Sequence, residues 1–277
     1  MKKIIITGAT SGIGKSCAHK MASKGHHVIL ACRNLKKAEA VKSEIIGAFP
    51  SAVVDIKTID LANFSSIRLF ADDMIKNYDY IDVLLNNAGV FADKKGKTAD
   101  GYEVTIGTNF LGQILLTELV LPLIKKSESG RIVHVSSEAG LFGKIKIKAH
   151  MFTKGPGGFI AYSKSKLAQI MYNIDLADKL AGSSITVNAV HPGKVATNIW
   201  QGDSLMMRIM GPMNMKKYMR PDEAAKICVA VSLSEKYDGI TGKLFRAQGQ
   251  MTYNERCLDE KTRKALMALA YTELGLV

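Results

Sequence analysis

Short β-branched apolar runs alternate with longer helical patterns along most of the chain, and few architectures accept that order. The strand candidates are Lys3 to Thr7, His27 to Cys32, Val53 to Thr58, Val83 to Asn86, Arg131 to Ser136 and Thr186 to Val190. Several are apolar at consecutive positions, which suits a sheet covered on both faces. Between them, Gly14 to Lys24, Leu35 to Phe49 and Phe64 to Tyr78 read as helices. Such alternation predicts an α/β fold, a doubly wound parallel sheet with helices on both faces. A late run near Lys243 to Ala247 would complete the sheet. No linker, repeat or low-complexity segment divides the 277 residues, so one domain spanning 1–277 is expected. Hydrophobic residues make up 47% of the chain and charged ones 23%, which excludes disorder and supplies a large core.

Charge and cysteine content narrow the surroundings. The net charge is +13, yet the positive residues are spread out, with short clusters only at Lys36-Lys37, Lys94-Lys95 and Lys144 to Lys148. No long basic block interleaves with aromatics, so no nucleic-acid partner is expected. Cys17, Cys32, Cys228 and Cys257 show neither C-x-x-C pairing nor metal-type spacing, which fits a reducing compartment and no metal site. The first strand begins at Lys3, leaving no room for a signal peptide ahead of it. The longest apolar stretch, Phe110 to Ile124, is broken by Gln113, Thr117 and Glu118 and reads as a buried helix, not a transmembrane segment. A cytoplasmic protein is expected.

The turn after the first strand reads Thr7-Gly8-Ala9-Thr10-Ser11-Gly12-Ile13-Gly14. Glycines between a strand and a helix let the backbone approach a pyrophosphate, which rests on free N–H groups of the helix N-terminus. The second strand addresses the choice of dinucleotide. Enzymes using NAD usually place an acid at its end for the ribose 2′-hydroxyl. Here the end is Ala31-Cys32-Arg33-Asn34, and Glu39 lies well into the next helix. Arg33 is either a surface arginine or a partner for a 2′-phosphate, helped by Ser11 or Lys15; the missing acid favours the second reading and NADP(H). A charge-assisted bond of about 1.5–3 kcal/mol corresponds to roughly tenfold to a hundredfold preference. Asp60-Leu61, after the third strand, would bond the adenine amino group, or Asp60 would serve as a turn residue.

Tyr162-Ser163-Lys164-Ser165-Lys166 opens another helical stretch and sets Tyr162 and Lys166 on one face. A nearby ammonium favours the phenolate over the phenol, whose usual pKa is about 10. The pair therefore makes sense as an acid/base with its tuner.

The Gly-rich turn, Asn86-Asn87-Ala88-Gly89, Asn109, Ser136-Ser137, the Y-x-x-x-K and His191-Pro192-Gly193 occur in this order. Together they resemble the short-chain dehydrogenase/reductase family, with its Rossmann-type sheet, over about residues 3–250. The resemblance implies hydride transfer between a nicotinamide and an alcohol or carbonyl, with Tyr162 as acid/base. Lys166 would bond the nicotinamide ribose and hold down the tyrosine pKa. Ser137, chosen over Ser136, would polarise the substrate oxygen, and Asn109 would hold a relay water behind Lys166. Gly8, Ser11, Gly12, Ile13 and Gly14 would take the pyrophosphate, with Arg33 and Asn34 at the adenosine ribose. Asn87, Ala88 and Gly89 would line the adenosine and ribose region, and Pro192, Gly193, Val195 and Thr197 would flank the nicotinamide. Homodimers or homotetramers are also implied.

Ala31-Cys32-Arg33-Asn34, the 25-residue separation of Ser137 from Tyr162, and Ala189-Val190-His191-Pro192-Gly193 are similar to the retinol dehydrogenase-like group. That similarity implies apolar aldehydes and alcohols, retinal among them. The chain departs from the group in its basic insert, Lys144-Ile145-Lys146-Ile147-Lys148. The stretch around Met206 to Met219 would form a substrate lid over about 198–220, or else a surface helix packed on the core. His191 reads as structural, and the orientation of Glu138 is open. An amphipathic helix over about 260–275 would pack on the core, serve an oligomer interface or touch a membrane. The competing reading is a non-catalytic sensor that binds NADP(H); such proteins usually lose the tyrosine or lysine, and both are present here.

Overall fold

A computed structural model describes residues 1–155, 157–195 and 218–276. Its strands are β1 (Lys3–Thr7), β2 (His27–Cys32), β3 (Val54–Thr58), β4 (Val83–Asn86), β5 (Arg131–Val135), β6 (Thr186–Val190), β7 (Leu244–Arg246) and β8 (Gly249–Met251). They form a single sheet in the order β3-β2-β1-β4-β5-β6-β7-β8. All neighbours are parallel except β7 and β8. The order reverses at β1, which pairs with both β2 and β4. A crevice must open there, beyond the strand C-termini, because the following connections leave to opposite faces.

Both faces are covered, as the unbroken apolar runs require. On one face Ile5, Ile29, Leu84, Ile132 and Val187 pack beneath α3 (Phe64–Asn77), α4 (Val104–Ile124) and α5 (Gly158–Lys179). On the other, Ile4, Ile6, Val28, Leu30, Val83, Leu85 and Val133 meet α1 (Gly12–Ala22), α2 (Leu35–Ala48) and α6 (Pro221–Leu233). Successive side chains of one strand thus feed two separate cores. Polar caps set several helix starts: Asn34 accepts from Lys37 N at 2.9 Å and Asn63 from Ser66 N at 3.1 Å.

Three elements differ from the sequence reading. The expected Phe110 helix begins earlier, at Val104, because Glu103 caps it by accepting from Thr105 N and Ile106 N at 3.1 and 2.9 Å. It passes through a π-turn over Gly107–Leu111. By length and composition α4 would span a membrane, but here it is largely buried within the protein. The added β8 is only three residues long, too short to give an alternating pattern. After a short helix α7 (Glu255–Leu258), α8 (Glu260–Leu274) closes the chain. Of the three roles open to it, α8 packs on the core. Arg263 pairs with Asp178 at 2.9 Å, Tyr271 donates to Glu118, and Leu266, Met267 and Ala270 are buried.

Candidate active site

The crevice at the reversal of strand order is a cleft of about 590 Å³. It gathers most of the residues singled out in the sequence: Gly8, Ser11, Gly12, Ile13, Arg33, Asn34, Asp60, Leu61, Asn87, Ala88, Gly89, Ser137, Tyr162, Lys166, Pro192, Gly193 and Val195. Gly14 and Asn109 stand outside that lining. Thr197 and nearly all of the expected lid, Trp200 included, lie outside the described residues.

At the cofactor end, Gly8 and Gly12 have φ of +65° and +53°, which only glycine adopts easily. A methyl group on Gly8 would lie 3.0 Å from Ala88 Cα. Gly14 serves packing instead: a methyl there would fall 2.4 Å from both Asn87 Nδ2 and Gly8 O. The N-cap Ser11 makes no side-chain capping bond and the first turn of α1 holds no acid. Its N–H groups are therefore left for an anion, as a pyrophosphate requires. Thr7, not singled out beforehand, ties the two central strands together. Its hydroxyl accepts from Asn87 N and Ala88 N at 3.0 and 2.9 Å.

At the far end of β2, Arg33 is 67% exposed and its Nη1 lies 3.8 Å from Asp60 Oδ1. Asp60 serves as the turn residue considered for it, accepting from Ala62 N at 2.9 Å, and it also lines the cleft. Lys15 pairs with Glu44 at 2.5 Å and stands outside the cleft lining. Lys37, one turn beyond Asn34, lines the cleft in its place. The helix cap at Asn34 was the available signal, since it accepts from Lys37 N and sets both residues at the cleft.

At the catalytic end, Tyr162 and Lys166 follow one another along α5, with Nζ 5.8 Å from the phenol ring centroid. Lys166 donates to Val135 O at 2.8 Å and Gln169 Oε1 at 3.2 Å. Ser137 shares a side-chain hydrogen bond with Tyr162 and also caps the turn after β5, accepting from Ala139 N at 3.2 Å. The neighbouring Ser136 Oγ is buried with no protein partner. Asn109 sits in the π-turn of α4. Its amide accepts from Val90 N at 2.7 Å and donates to Val90 O and Ser165 Oγ at 2.8 and 3.1 Å. It thus fastens the loop after Gly89 to the catalytic helix. Gly89 separates it from Lys166: a methyl there would lie 3.3 Å from Asn109 Oδ1 and 3.8 Å from Lys166 Nζ.

Residues 2–207 match the short chain dehydrogenase family. The chain is a short-chain dehydrogenase. It is 38% identical to human retinol dehydrogenase 11, with 99% of this chain and 86% of that protein aligned. Mouse retinol dehydrogenase 12 is 34% identical, with 99% and 87% aligned. Among solved structures, an uncharacterized protein from Mycobacterium paratuberculosis superposes with a TM-score of 0.78 at 29% identity, covering 99% and 94% of the two chains. A short chain dehydrogenase from Escherichia coli complexed with NADPH gives 0.71 at 26% identity, covering 89% and 96%.

This short-chain dehydrogenase belongs to a family of nicotinamide-dependent oxidoreductases, and its cleft has the features such a cofactor needs. Its electrostatics correct one expectation. Lys166 was expected to hold the tyrosine pKa down, but burial dominates both groups. Tyr162 is pushed up to about 12, with only the Ser137 hydrogen bond opposing, and Lys166 is pushed down to about 7. Water stabilises each charged form, and Tyr162 and Lys166 are 5% and 3% exposed. His191 is also held below its usual value by burial, and its Nε2 stands 3.6 Å from Glu138 Oε2. Its backbone N donates to Phe245 O at 2.7 Å, the structural part expected of it. Glu138 is thus a neighbour of His191 and not part of the cleft lining.

Proposed function

We propose that this enzyme is an NADP(H)-dependent reductase of apolar aldehydes and ketones, retinal-like compounds included. The observation that carries it is a single cleft with Arg33 and Lys37 at one end and a buried Tyr162, hydrogen-bonded to Ser137, at the other. No carboxylate ends β2 to receive a ribose 2′-hydroxyl, and the two cations suit a 2′-phosphate. The NADPH-bound Escherichia coli relative supports the same choice. The uncapped start of α1 would hold the pyrophosphate, and Lys166, Pro192, Gly193 and Val195 would border the nicotinamide.

A nicotinamide cofactor, held by the residues above, would supply the hydride to the carbonyl carbon. The chain's own residues handle the oxygen and the proton. Ser137 Oγ–H and Tyr162 Oη–H donate to the carbonyl oxygen, and the Tyr162 proton moves onto it as negative charge develops. A phenol that stays protonated at neutral pH begins in the state that reduction consumes. Ser137, which already shares a hydrogen bond with Tyr162, would steady the resulting phenolate until a proton returns, and Lys166 Nζ stands 5.8 Å from the ring centroid. Phe91, its ring 5.5 Å from that of Tyr162, and Val90 and Val104 give the nearby wall an apolar character. The likeness to retinol dehydrogenases agrees with an apolar substrate. The four buried, unpaired cysteines suit work in the cytoplasm.

The test is cofactor consumption against a panel of apolar aldehydes and ketones, retinal among them, with NADPH and NADH in parallel. Turnover that strongly favours NADPH is expected. Equal or better turnover with NADH would overturn the cofactor assignment, and activity confined to small polar carbonyls would overturn the substrate class.

A further inference from the structure

One region of the surface outside the cleft unites exposed apolar groups with concentrated positive charge. The two exposed phenylalanines, Phe142 at 68% and Phe159 at 52%, lie there with Ile160 and Ile147. Burial within the fold would have been the cheaper place for such side chains. The segments adjoin in space. A methyl on Gly143 would meet Ser163 O at 2.5 Å, and the Ser163 hydroxyl donates to Ile160 O at 3.2 Å. Phe142 therefore neighbours the first turn of α5, which carries Phe159 and Ile160. Lys164 Nζ pins the insert to this helix by donating to Met151 O at 2.8 Å.

The charge is one-sided. From Ala139 to Ile174 there is no Asp or Glu, while Lys144, Lys146, Lys148 and Lys154 are exposed. A second segment brings more. Gly158 N donates to Ala92 O at 2.8 Å, and a methyl on Gly157 would lie 3.5 Å from the backbone of Lys94 and Lys95. Lys94, Lys95 and Lys97 are exposed too. Arg256 adds a cation by donating to Gly143 O at 3.4 Å. Asp93, Asp100, Glu138, Glu255, Asp259 and the buried Glu103 are the acids on the adjoining segments, fewer than the cations they face. The location matters as much as the composition. Phe159 and Ile160 precede Tyr162 by less than one helical turn, and Phe142 ends the turn that Ser137 begins. The patch therefore lies on the two segments that also carry Ser137 and Tyr162.

We propose that this face docks on the surface of an anionic lipid bilayer, with the lysines on the headgroups and Phe142, Ile147, Phe159 and Ile160 at the acyl boundary. Basic side chains ringing apolar ones match both layers of such a surface. A polyanion such as nucleic acid would satisfy the lysines and leave the isoleucines in water. Docking turns the substrate end of the cleft towards the phase into which an apolar carbonyl partitions. That consequence rests on the substrate class proposed above, whereas the docking itself does not.

The experiment is co-sedimentation of the full chain with vesicles, without cofactor or substrate. With vesicles about one-third phosphatidylglycerol in phosphatidylcholine, binding is expected to exceed that on pure phosphatidylcholine by about tenfold or more and to weaken with salt. Reversing charge in K144E/K146E/K148E should remove most of the binding. F142S/I147S, at unchanged net charge, should remove a comparable share. Both variants should keep the wild-type melting temperature and turnover of a small water-soluble aldehyde. Equal binding of the wild type to the two vesicle types would overturn the proposal, and that contrast decides even if a variant fails to fold. Full binding by F142S/I147S would overturn it as well, since a purely electrostatic attachment would then suffice. Docking without turnover, or turnover without docking, separates this proposal from the reductase reading.

Discussion

The two ends of the cleft use charged side chains under opposite conditions. At the adenosine end, Arg33 is two-thirds exposed and Asp60 is half-buried, so water screens whatever charge they present. At the catalytic end, Tyr162 and Lys166 are almost wholly buried, and desolvation moves both away from their ordinary behaviour. Charge at the wet end discriminates between ligands by a modest factor. On the proposed reading, charge at the dry end would decide whether chemistry occurs. Residues of similar formal character therefore differ greatly in what their removal should cost.

The largest effect is expected at the dry end. Tyr162→Phe deletes only the hydroxyl and should lower kcat by about 10³-fold or more while leaving NADPH affinity intact, as titration by fluorescence would show. Substantial residual turnover would break the contrast. Ser137→Ala should follow, with a loss of about 10²-fold in kcat, because it removes one donor to the developing oxyanion. A change confined to KM would demote Ser137 to substrate binding. At the wet end, Arg33→Asp should shift the ratio of kcat/KM values for NADPH and NADH towards NADH by about tenfold to a hundredfold. Unchanged selectivity would move the phosphate contact to Lys37.

The smallest effect concerns stability. Lys166 is depressed to about 7 in the fold, against an unfolded value of about 10.5. Between those two pH values the unfolded chain binds the extra proton, so this group makes stability rise with pH across that window. Below about pH 7 both states are protonated and its contribution is flat. Lys166→Met should remove that rise, measurable as a smaller gain in denaturant midpoint between neutral and alkaline pH. An identical gain in the variant would show that burial does not govern Lys166.

Much of the fold was legible because two-sided burial leaves consecutive apolar residues in each strand. The six strands from β1 to β6 lie within one residue of their expected limits. β8 was not, since three residues hold no period. The π-turn in α4 was hidden because nothing in Gly107–Leu111 distinguishes it from an ordinary helical turn; it carries Asn109, which binds the loop after Gly89. The cleft lining was legible wherever a glycine or a strand end carried it. That Lys37 lines the cleft and Lys15 does not was hidden, because it depends on Glu44 reaching across from α2 to Lys15. The Tyr162 pKa was read in the wrong direction for a related reason. Sequence spacing reveals a neighbouring charge, whereas the missing solvent belongs to the assembled core.

The central claim is that Tyr162 delivers the proton in an NADPH-linked carbonyl reduction. It is tested most directly by following NADPH oxidation with retinal in the wild type and Tyr162→Phe at equal cofactor saturation, with the alcohol product assayed. The account predicts matched NADPH loss and retinol formation in the wild type, and neither in the variant although it still binds NADPH. Equal rates in the two proteins, or NADPH loss without alcohol, would contradict it.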